Sequence, residues 1–371
     1  MSDTGTIKLI KAYEQRIGRA RHFTSKFASP PENFHATDKV EIDIIRQGQH
    51  IAIPVPNMDA GPRNMSMDDY VNKAWPPTVF NYNLNLSAAN LRTREPGVDP
   101  YTDPVWATAA TRRIFRMVRK LEDMIRDGIE LMAAQVMTTG QLAITDENGD
   151  AVFAINFEPK DASGTLASGD LIVTVSTEWS ADGATGEPLD DLESLGNNMA
   201  ACGYDATDVC FGSDALKYFL VKPKVQNQLN LLKFNAGSIN VEGQGPGGGA
   251  AKVGQMVIGG RLLNLWSYNA TYRHPETGVI TKYLPAKKVV MWDDTAPRDL
   301  TWGEIALLPA TAGQQQLSFV PSRMSFGRQG MDFQLVAYTT PDRKNLVLNV
   351  GCRPLTIPTA IDSIACMTVA T

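Results

Sequence analysis

The sequence predicts an α+β protein in which helices and antiparallel strands occupy separate parts of the chain. Three observations support this: one long amphipathic helix, short alternating strand patterns on both sides of it, and no regular alternation of single strands with single helices. The chain has 371 residues, 43% of them hydrophobic and 20% charged, which is ordinary for a folded protein. Its length permits two or three domains and a sizeable core.

The N-terminal 27 residues predict a short basic amphipathic helix, which Ser29-Pro30-Pro31 ends. A helix this short is marginal in isolation, so it must dock on something or stay mobile. Two alternatives remain open: a solvated terminal arm, and a segment that contacts a neighbouring subunit or a packaged polyanion. We assign residues 1–49 to this arm and to a strand that leads into the next segment.

The next segment predicts an extended loop, residues 50–102. Alternating patterns at 39–44 and 50–55 predict two short strands with a turn at 47–49 between them, and residues 78–86 alternate again. A long two-stranded loop is barely stable by itself, so we expect its apolar side chains to cover neighbouring molecules and not a private core. The candidate inter-subunit residues are Trp75, Val79, Phe80, Tyr82, Leu84 and Leu86.

A long amphipathic helix, called the spine helix below, is predicted over about residues 104–139. Asp103 is a good N-cap, Pro104 suits the first helical position, and Gly140 is a natural C-terminal stop. At 1.5 Å per residue this helix is a rod of roughly 50 Å. Gly128, inside it, is a candidate bend.

A basic cluster lies in the first half of the spine helix, with five positive side chains and no acid among them. One interpretation is structural, because Glu122, Asp123 and Asp127 lie about one turn further on and can form salt bridges. The other is a surface that faces nucleic acid, and the sequence leaves both open. The cluster consists of Arg112, Arg113, Arg116, Arg119 and Lys120.

After the spine helix, strand patterns at 142–145, 152–157 and 171–175 complete a region that we assign to residues 103–187. A second region, 188–330, begins with a helix near Pro188 and contains a buried strand at 209–211 and a helix that starts after Ser213 and breaks at Pro223. Its remaining strand patterns are 255–258, 262–266, 281–284 and 289–292. Residues 331–371 return as strands 334–337, 346–350 and 364–369.

No motif for catalysis, cofactor binding or metal binding is found. The glycine-rich stretch 243–252 lacks the spacing of a Walker loop and is expected to be a mobile loop. The four histidines are scattered, the four cysteines form no CxxC pair and are expected to be reduced thiols, and the paired carboxylates are explained by caps and turns. A formal charge of −5 does not indicate a nucleic-acid binder. No apolar run is as long as a membrane span requires, and the N-terminus lacks the uninterrupted apolar stretch of a signal peptide.

Several segments, in their order along the chain, resemble a known family. HATDKVEIDII followed by IAIPVPNMDAG is similar to its entry into an extended loop, and STEWS, ITKYLPAKKVVMW and RPLTIPTAIDSIACMTV are similar to later landmarks. DPYTDPVWATAATRRIFRMVRKLEDMIRDGIELMAAQVMTTGQLAI is similar to its long helix. The family is that of tailed-phage major capsid proteins, and more narrowly that of the phage lambda major head protein.

This resemblance implies a Hong Kong 97-like fold with an N-terminal arm, an extended loop, a peripheral domain built on the spine helix (103–187) and an axial domain (188–330). It implies a major capsid protein that is made in the host cytoplasm and forms hexamers and pentamers of an icosahedral shell around double-stranded DNA. Portal, scaffold and decoration proteins are the implied partners, with non-specific DNA contact and no membrane. A decoration or tail component and, less favoured, a hydrolase are the alternatives.

Overall fold

A computed structural model describes residues 21–35, 37, 39–45, 70–87, 106–145, 151–157, 159, 170–180, 186–230, 237–238, 250–274, 278–305, 333–339 and 344–370. The helices are α1 (Trp106–Thr139), α2 (Pro188–Ala201), α3 (Ser213–Val221) and α4 (Pro223–Asn230). The strands that precede the second helix are β1 (Val40–Ile45), β2 (Tyr70–Trp75), β3 (Phe80–Ser87), β4 (Gln141–Thr145), β5 (Ala151–Asn156) and β6 (Ile172–Thr174). The later strands are β7 (Asp208–Phe211), β8 (Gly237–Ser238), β9 (Ala250–Ile258), β10 (Arg261–Tyr268), β11 (Thr271–Arg273), β12 (Ile280–Lys282), β13 (Lys288–Trp292), β14 (Asp299–Trp302), β15 (Gln334–Thr339), β16 (Asn345–Cys352), β17 (Pro354–Ile357) and β18 (Ile364–Thr368).

The predicted spine helix is confirmed as α1, which runs without interruption for 34 residues. Its predicted start at Asp103 and Pro104 lies outside the described residues. Gly140 ends it as predicted, with φ at 62° and its N–H donating to the Val136 carbonyl at 2.9 Å. The apolar positions of the helical pattern form its buried face, except that Met117 is half-buried and Met124 is 40% exposed. The buried members are Ile114, Val118, Leu121, Ile125, Ile129, Met132 and Val136.

A seven-stranded mixed sheet forms the centre of the molecule, in the order β6-β18-β13-β7-β10-β9-β8. Successive residues of a strand face opposite sides of a sheet, and the two sides here belong to two cores. Cys210 and Val290 face the core that contains α1, whereas Phe211 and Met291 face the core that contains α2 and α3. The predicted helix at Pro188 and the helix break at Pro223 are confirmed.

The C-terminal strand β18 lies inside this sheet, between β13, to which it is antiparallel, and β6, to which it is parallel. This pairing crosses the predicted boundary at residue 187, because β6 lies before that boundary in the sequence but belongs to the sheet of the following region. Strands β14 and β17, which pair with each other, were not predicted.

Part of the first hundred residues folds back on its own chain, which corrects the expectation that this segment has no core of its own. Strand β3 joins a three-stranded sheet with β16 and β15 that packs on the first half of α1. Strand β1 pairs with β2 in antiparallel register, Val40 opposite Trp75. The strand predicted at 50–55, the turn at 47–49, the N-terminal residues 1–20 and the glycine-rich stretch 243–249 lie outside the described residues.

Candidate functional site

Residues 21–35, called the arm segment below, lie across both the spine helix and the strand-rich part of the molecule. The end of the predicted basic helix is not α-helical: a short 3-10 turn, Thr24–Lys26, follows Phe23, whose side chain is fully buried. Arg21 contacts Asp123 at 3.0 Å and Asp127 at 3.3 Å on the exposed side of α1. The arm is therefore docked on this chain from residue 21 onward, which favours neither a purely solvated arm nor one held only by a neighbour.

Glu130 on the spine helix is the main anchor of the arm segment. Its carboxylate accepts the N–H of Phe23 at 2.9 Å, and the N–H and hydroxyl of Thr24 at 2.8 and 2.6 Å. The hydroxyl of Tyr268, from β10, donates a fourth hydrogen bond at 2.8 Å. Burial raises the pKa of Glu130, and these hydrogen bonds oppose the shift without cancelling it. One carboxylate thus joins the arm, the spine helix and the central sheet.

His22 and Lys26 lie against an aromatic cluster beside this anchor. The His22 ring lies 5.1 Å from Trp266, 5.7 Å from Tyr268 and 6.1 Å from Trp292, between ring centroids. The Lys26 ammonium lies 5.6 Å from the Trp292 ring and 2.9 Å from Asp294. Burial, and then the positive charge of Lys26, lower the pKa of His22 to about 4, although nearby acids act in the opposite direction.

The second half of the arm segment pairs with β14. Ala28 donates its N–H to the Arg298 carbonyl at 2.8 Å, and Leu300 donates back to the Ala28 carbonyl at 2.8 Å. The indole N–H of Trp302 donates to the Ser29 hydroxyl at 2.8 Å, and the Phe34 and Trp302 rings stack. The arm therefore extends a sheet edge as well as capping a helix face.

The six apolar loop residues divide into buried and exposed ones. Trp75 and Leu86 are 8% and 5% exposed and lie inside this chain's own cores, so the expectation that they cover a neighbour is corrected. Phe80 and Leu84 are half-buried against the same cores. Val79 and Tyr82, by contrast, are 63% and 38% exposed. Of the six, these two keep most surface for another molecule.

The basic cluster presents its later members to solvent. Arg116, Arg119 and Lys120 are exposed, Arg113 is half-buried, and the side chain of Arg112 lies outside the described residues. Asp123 and Asp127, the expected structural partners, contact Arg21 of the arm segment.

Sequence reasoning missed Glu130 and His22, although Glu130 carried a signal. It lies three, four and seven residues before Ala133, Ala134 and Met137, all of which are buried, so a charged residue occupies the apolar face. Among the described residues, no three His, Cys, Asp or Glu side chains are grouped so that they could hold a metal ion. None of the described helices combines the length and apolar character needed to cross a bilayer.

Comparison with known proteins gives a family match over almost the whole chain. The model for phage major capsid protein E matches residues 6–369. No curated protein matches the sequence.

Solved structures show a similar fold. A prophage protein of E. coli CFT073, assigned as a capsid protein, is 15% identical with a TM-score of 0.57, over 81% of this chain and 80% of that chain. The capsid of a native GTA particle is 12% identical with a TM-score of 0.48, over 96% of this chain and 93% of that chain. Microbacterium phage Oxtober96 gives 11% identity and a TM-score of 0.45, over 96% and 93% of the two chains. The likeness to the prophage protein, whose TM-score is above 0.5, concerns the fold.

Proposed function

The chain belongs to the phage major capsid protein E family and has the Hong Kong 97-like fold, and on that premise we propose that its copies assemble as hexamers and pentamers of an icosahedral shell. The shell encloses double-stranded DNA within the virion after assembly in the host cytoplasm. Portal, scaffold and decoration proteins belong to the same proposal. The family match supports a shell subunit over a decoration or tail component and over a hydrolase.

The exposed apolar side chains at the start of β3 support assembly most directly. Val79 and Tyr82 project from a segment whose neighbours Trp75 and Leu86 are buried, so the segment is held in place while these two remain available. An apolar side chain on a segment that is already in place can contribute to an interface without the cost of ordering the backbone. We assign Val79 and Tyr82 to contacts between subunits.

Substitution of Val79 by Asp tests this assignment. A charge at the interface is expected to reduce the yield of particles at least tenfold, because a carboxylate would be desolvated against an apolar neighbour. The unfolding free energy should change by less than about 0.5 kcal/mol, since the site is exposed within one chain. Size-exclusion chromatography and negative-stain microscopy measure the particles.

Val221→Asp is the matched control, because Val221 is 67% exposed against 63% for Val79 and lies on α3, away from β3. It should assemble normally. Normal particles from Val79→Asp would remove the assignment of this surface to assembly.

The exposed basic residues of the spine helix are proposed to face the packaged DNA. Arg119 and Lys120 are both exposed, and phosphate contacts made by such side chains are independent of sequence. Replacing both by Gln is expected to lower the amount of DNA packaged per particle, whereas Lys217→Gln with Lys287→Gln removes the same charge elsewhere. Unchanged filling with intact shells would favour the structural interpretation of the cluster.

A further inference from the structure

We propose that the arm segment is a proton-sensitive clasp, in which protonation of His22 loosens its hold on the spine helix and the central sheet. This conformational change takes place within one chain and does not require assembly of the shell. Three features of the molecule support it: the docked arm, the enclosure of the His22 ring, and the charges around that ring.

The clasp is a short segment that joins two parts of the molecule. On one side Phe23 and Thr24 donate to Glu130 of α1, and on the other Lys26 contacts Asp294 beyond the end of β13. The side chain of Arg298 is 1% exposed, and its Nε lies 3.5 Å from the Lys26 carbonyl oxygen. Release of these few residues would therefore remove one connection between the spine helix and the loop that follows β13.

His22 fits its surroundings as a neutral ring. Four aromatic rings surround it, and its Nε2 is buried with no hydrogen-bond partner among the described residues. Protonation would place a donor at that buried atom and a second positive charge beside Lys26, which lies over the rings of Trp266 and Trp292 as well. Both changes disfavour the docked state relative to a free arm, whose imidazole water can solvate.

The acids around His22 are already engaged with other donors. Asp294 contacts Lys26, and Asp208 accepts the indole N–H of Trp266 at 2.7 Å and the Thr207 hydroxyl at 2.8 Å. Their negative charge reduces the effect of protonation without reversing it, because the net shift of the His22 pKa is downward. The charged groups that act on His22 are Lys26 from the arm, Asp208 from β7 and Asp294 beyond β13, and Tyr268 from β10 lies in ring contact with it. Three further charged groups contact these residues or their neighbours in the chain: Arg21, which precedes His22, Glu130, which holds Phe23, and Arg298, which contacts Asp294.

The sign of the pH effect follows from the two states of His22. When docked its pKa is about 4, and when free it has the ordinary value of 6.5. The free arm therefore takes up a proton at a pH where the docked arm does not, and docking weakens as the pH falls from 6.5 toward 4. Between pH 7 and pH 5.5 the open fraction should rise about eightfold from this group alone.

Glu130 acts in the opposite direction. Burial raises its pKa in the docked state, so proton uptake by Glu130 favours docking once the pH falls below that raised value. Burial raises the pKa of Asp294, but the hydrogen bonds from Lys26 and Trp292 and the charges of Lys26 and Arg298 together lower it, so Asp294 responds only below its ordinary value of 3.8. The response of His22 is thus expected in mild acid, and removal of the Glu130 carboxylate should make it steeper.

Hydrogen–deuterium exchange of the full-length protein tests the clasp. After correction for the intrinsic exchange rate, the peptide that contains Phe23 and Thr24 should open several-fold more at pH 5.5 than at pH 7. His22→Phe keeps an aromatic ring in the cluster but cannot titrate, so its corrected exchange should not rise between pH 7 and pH 5.5. His35→Phe, which lies in the arm but outside the cluster, should behave like the wild type.

Two results would overturn the proposal: equal corrected exchange at both pH values in the wild type, or the same rise in His22→Phe. The response of Glu130→Gln separates the two titrating groups, because that variant should open more readily at every pH and keep the dependence on His22. A loss of assembly in Val79→Asp leaves all these outcomes unaffected, since the exchange measurement needs only a folded chain.

A measurement on the wild type alone covers the case in which His22→Phe does not fold. Slow deuterium exchange at imidazole carbon, followed by mass spectrometry over a range of pH, gives the pKa of each of the four histidines. The proposal expects that of His22 to lie near 4, as its burial dictates. A titration of His22 at its ordinary pKa would refute the clasp.

Discussion

Buried carboxylates need hydrogen-bond donors, and Glu130 obtains four of them from two distant parts of the chain. Two are backbone N–H groups of the arm segment, which no side-chain substitution in the arm can remove. A helix residue thus fixes the path of a segment more than a hundred positions earlier. This role depends on the carboxylate oxygens, and alanine cannot replace them.

Glu130→Ala is therefore expected to lower the unfolding free energy by about 3 kcal/mol, because the donors that it serves lose their acceptor in a buried site. Chemical denaturation followed by circular dichroism measures the change. Glu122→Ala, half-buried on the same helix, is the control and should cost less than about 0.5 kcal/mol. Equal effects of the two substitutions would contradict the anchoring role of Glu130.

Two of the carboxylate pairs that the sequence assigns to caps and turns lie where that interpretation places them, and the third, Asp68 and Asp69, lies outside the described residues. Asp190 and Asp191 are in the first turn of α2, and Asp293 accepts the Thr295 N–H and hydroxyl in a turn after β13. Asp191 has a further role that the sequence did not indicate: it accepts the indole N–H of Trp179 at 2.8 Å. Burial raises its pKa in spite of that bond.

At the scale of elements, the spine helix and β3 meet at Gly128. A Cβ there would lie 3.2 Å from the Phe80 ring, so the glycine makes room for a strand and does not mark a break in the helical assignment. Glycine inside a helix costs about 1 kcal/mol relative to alanine. In return, the absence of a side chain at Gly128 lets the Phe80 ring of β3 lie close to the helix.

Gly128→Ala should show this conflict in a double-mutant cycle. With Phe80 shortened to Ala, the substitution is expected to stabilise the protein by about 1 kcal/mol through helix propensity. With Phe80 intact, most of that gain should disappear, because the ring must move by a few tenths of an ångström. Equal gains in both backgrounds, measured by denaturant unfolding, would show that Gly128 and Phe80 are not coupled.

Gly140 ends the same helix for a backbone reason and a packing reason. Its φ of 62° disfavours any residue with a Cβ, and a Cβ would overlap the Pro159 ring. Gly140→Ala should therefore destabilise by about 2 kcal/mol or more. Gly260→Ala separates the two causes, since its φ is 79° but no atom lies within 4 Å of the added carbon, and it should cost about 1 kcal/mol. Thermal unfolding compares the stability of the two variants. Equal losses of stability would show that the overlap with Pro159 contributes nothing at Gly140.

At the scale of the whole molecule, β2 and β3 connect the extended loop to the cores of the same chain. If the extended loop covered only neighbouring molecules, as the sequence predicts, deletion of residues 57–99 would leave a folded subunit that cannot assemble. The structure reverses the first half of that expectation, because the deletion removes Trp75 and Leu86 from two cores and leaves β16 with β15 alone.

The deletion of 57–99 is now expected to give an unfolded or aggregated chain, with loss of the cooperative unfolding transition seen by calorimetry. Val79→Asp, which leaves both strands in place, is the control for assembly without loss of folding. A deleted chain that unfolds cooperatively at the wild-type temperature would show that β2 and β3 contribute little to stability.

The sequence by itself determined the spine helix, several strands of the central sheet, the helix starts at Pro188 and after Ser213, and the family. These features follow from periodicity, caps and motif order, which are local properties of a chain. It did not show that Trp75 and Leu86 are buried within one subunit, nor that Glu130 holds the arm. Apolar patterning identifies which side chains need cover but not which surface supplies it. That choice depends on contacts between residues far apart in sequence, and only the tertiary structure decided it.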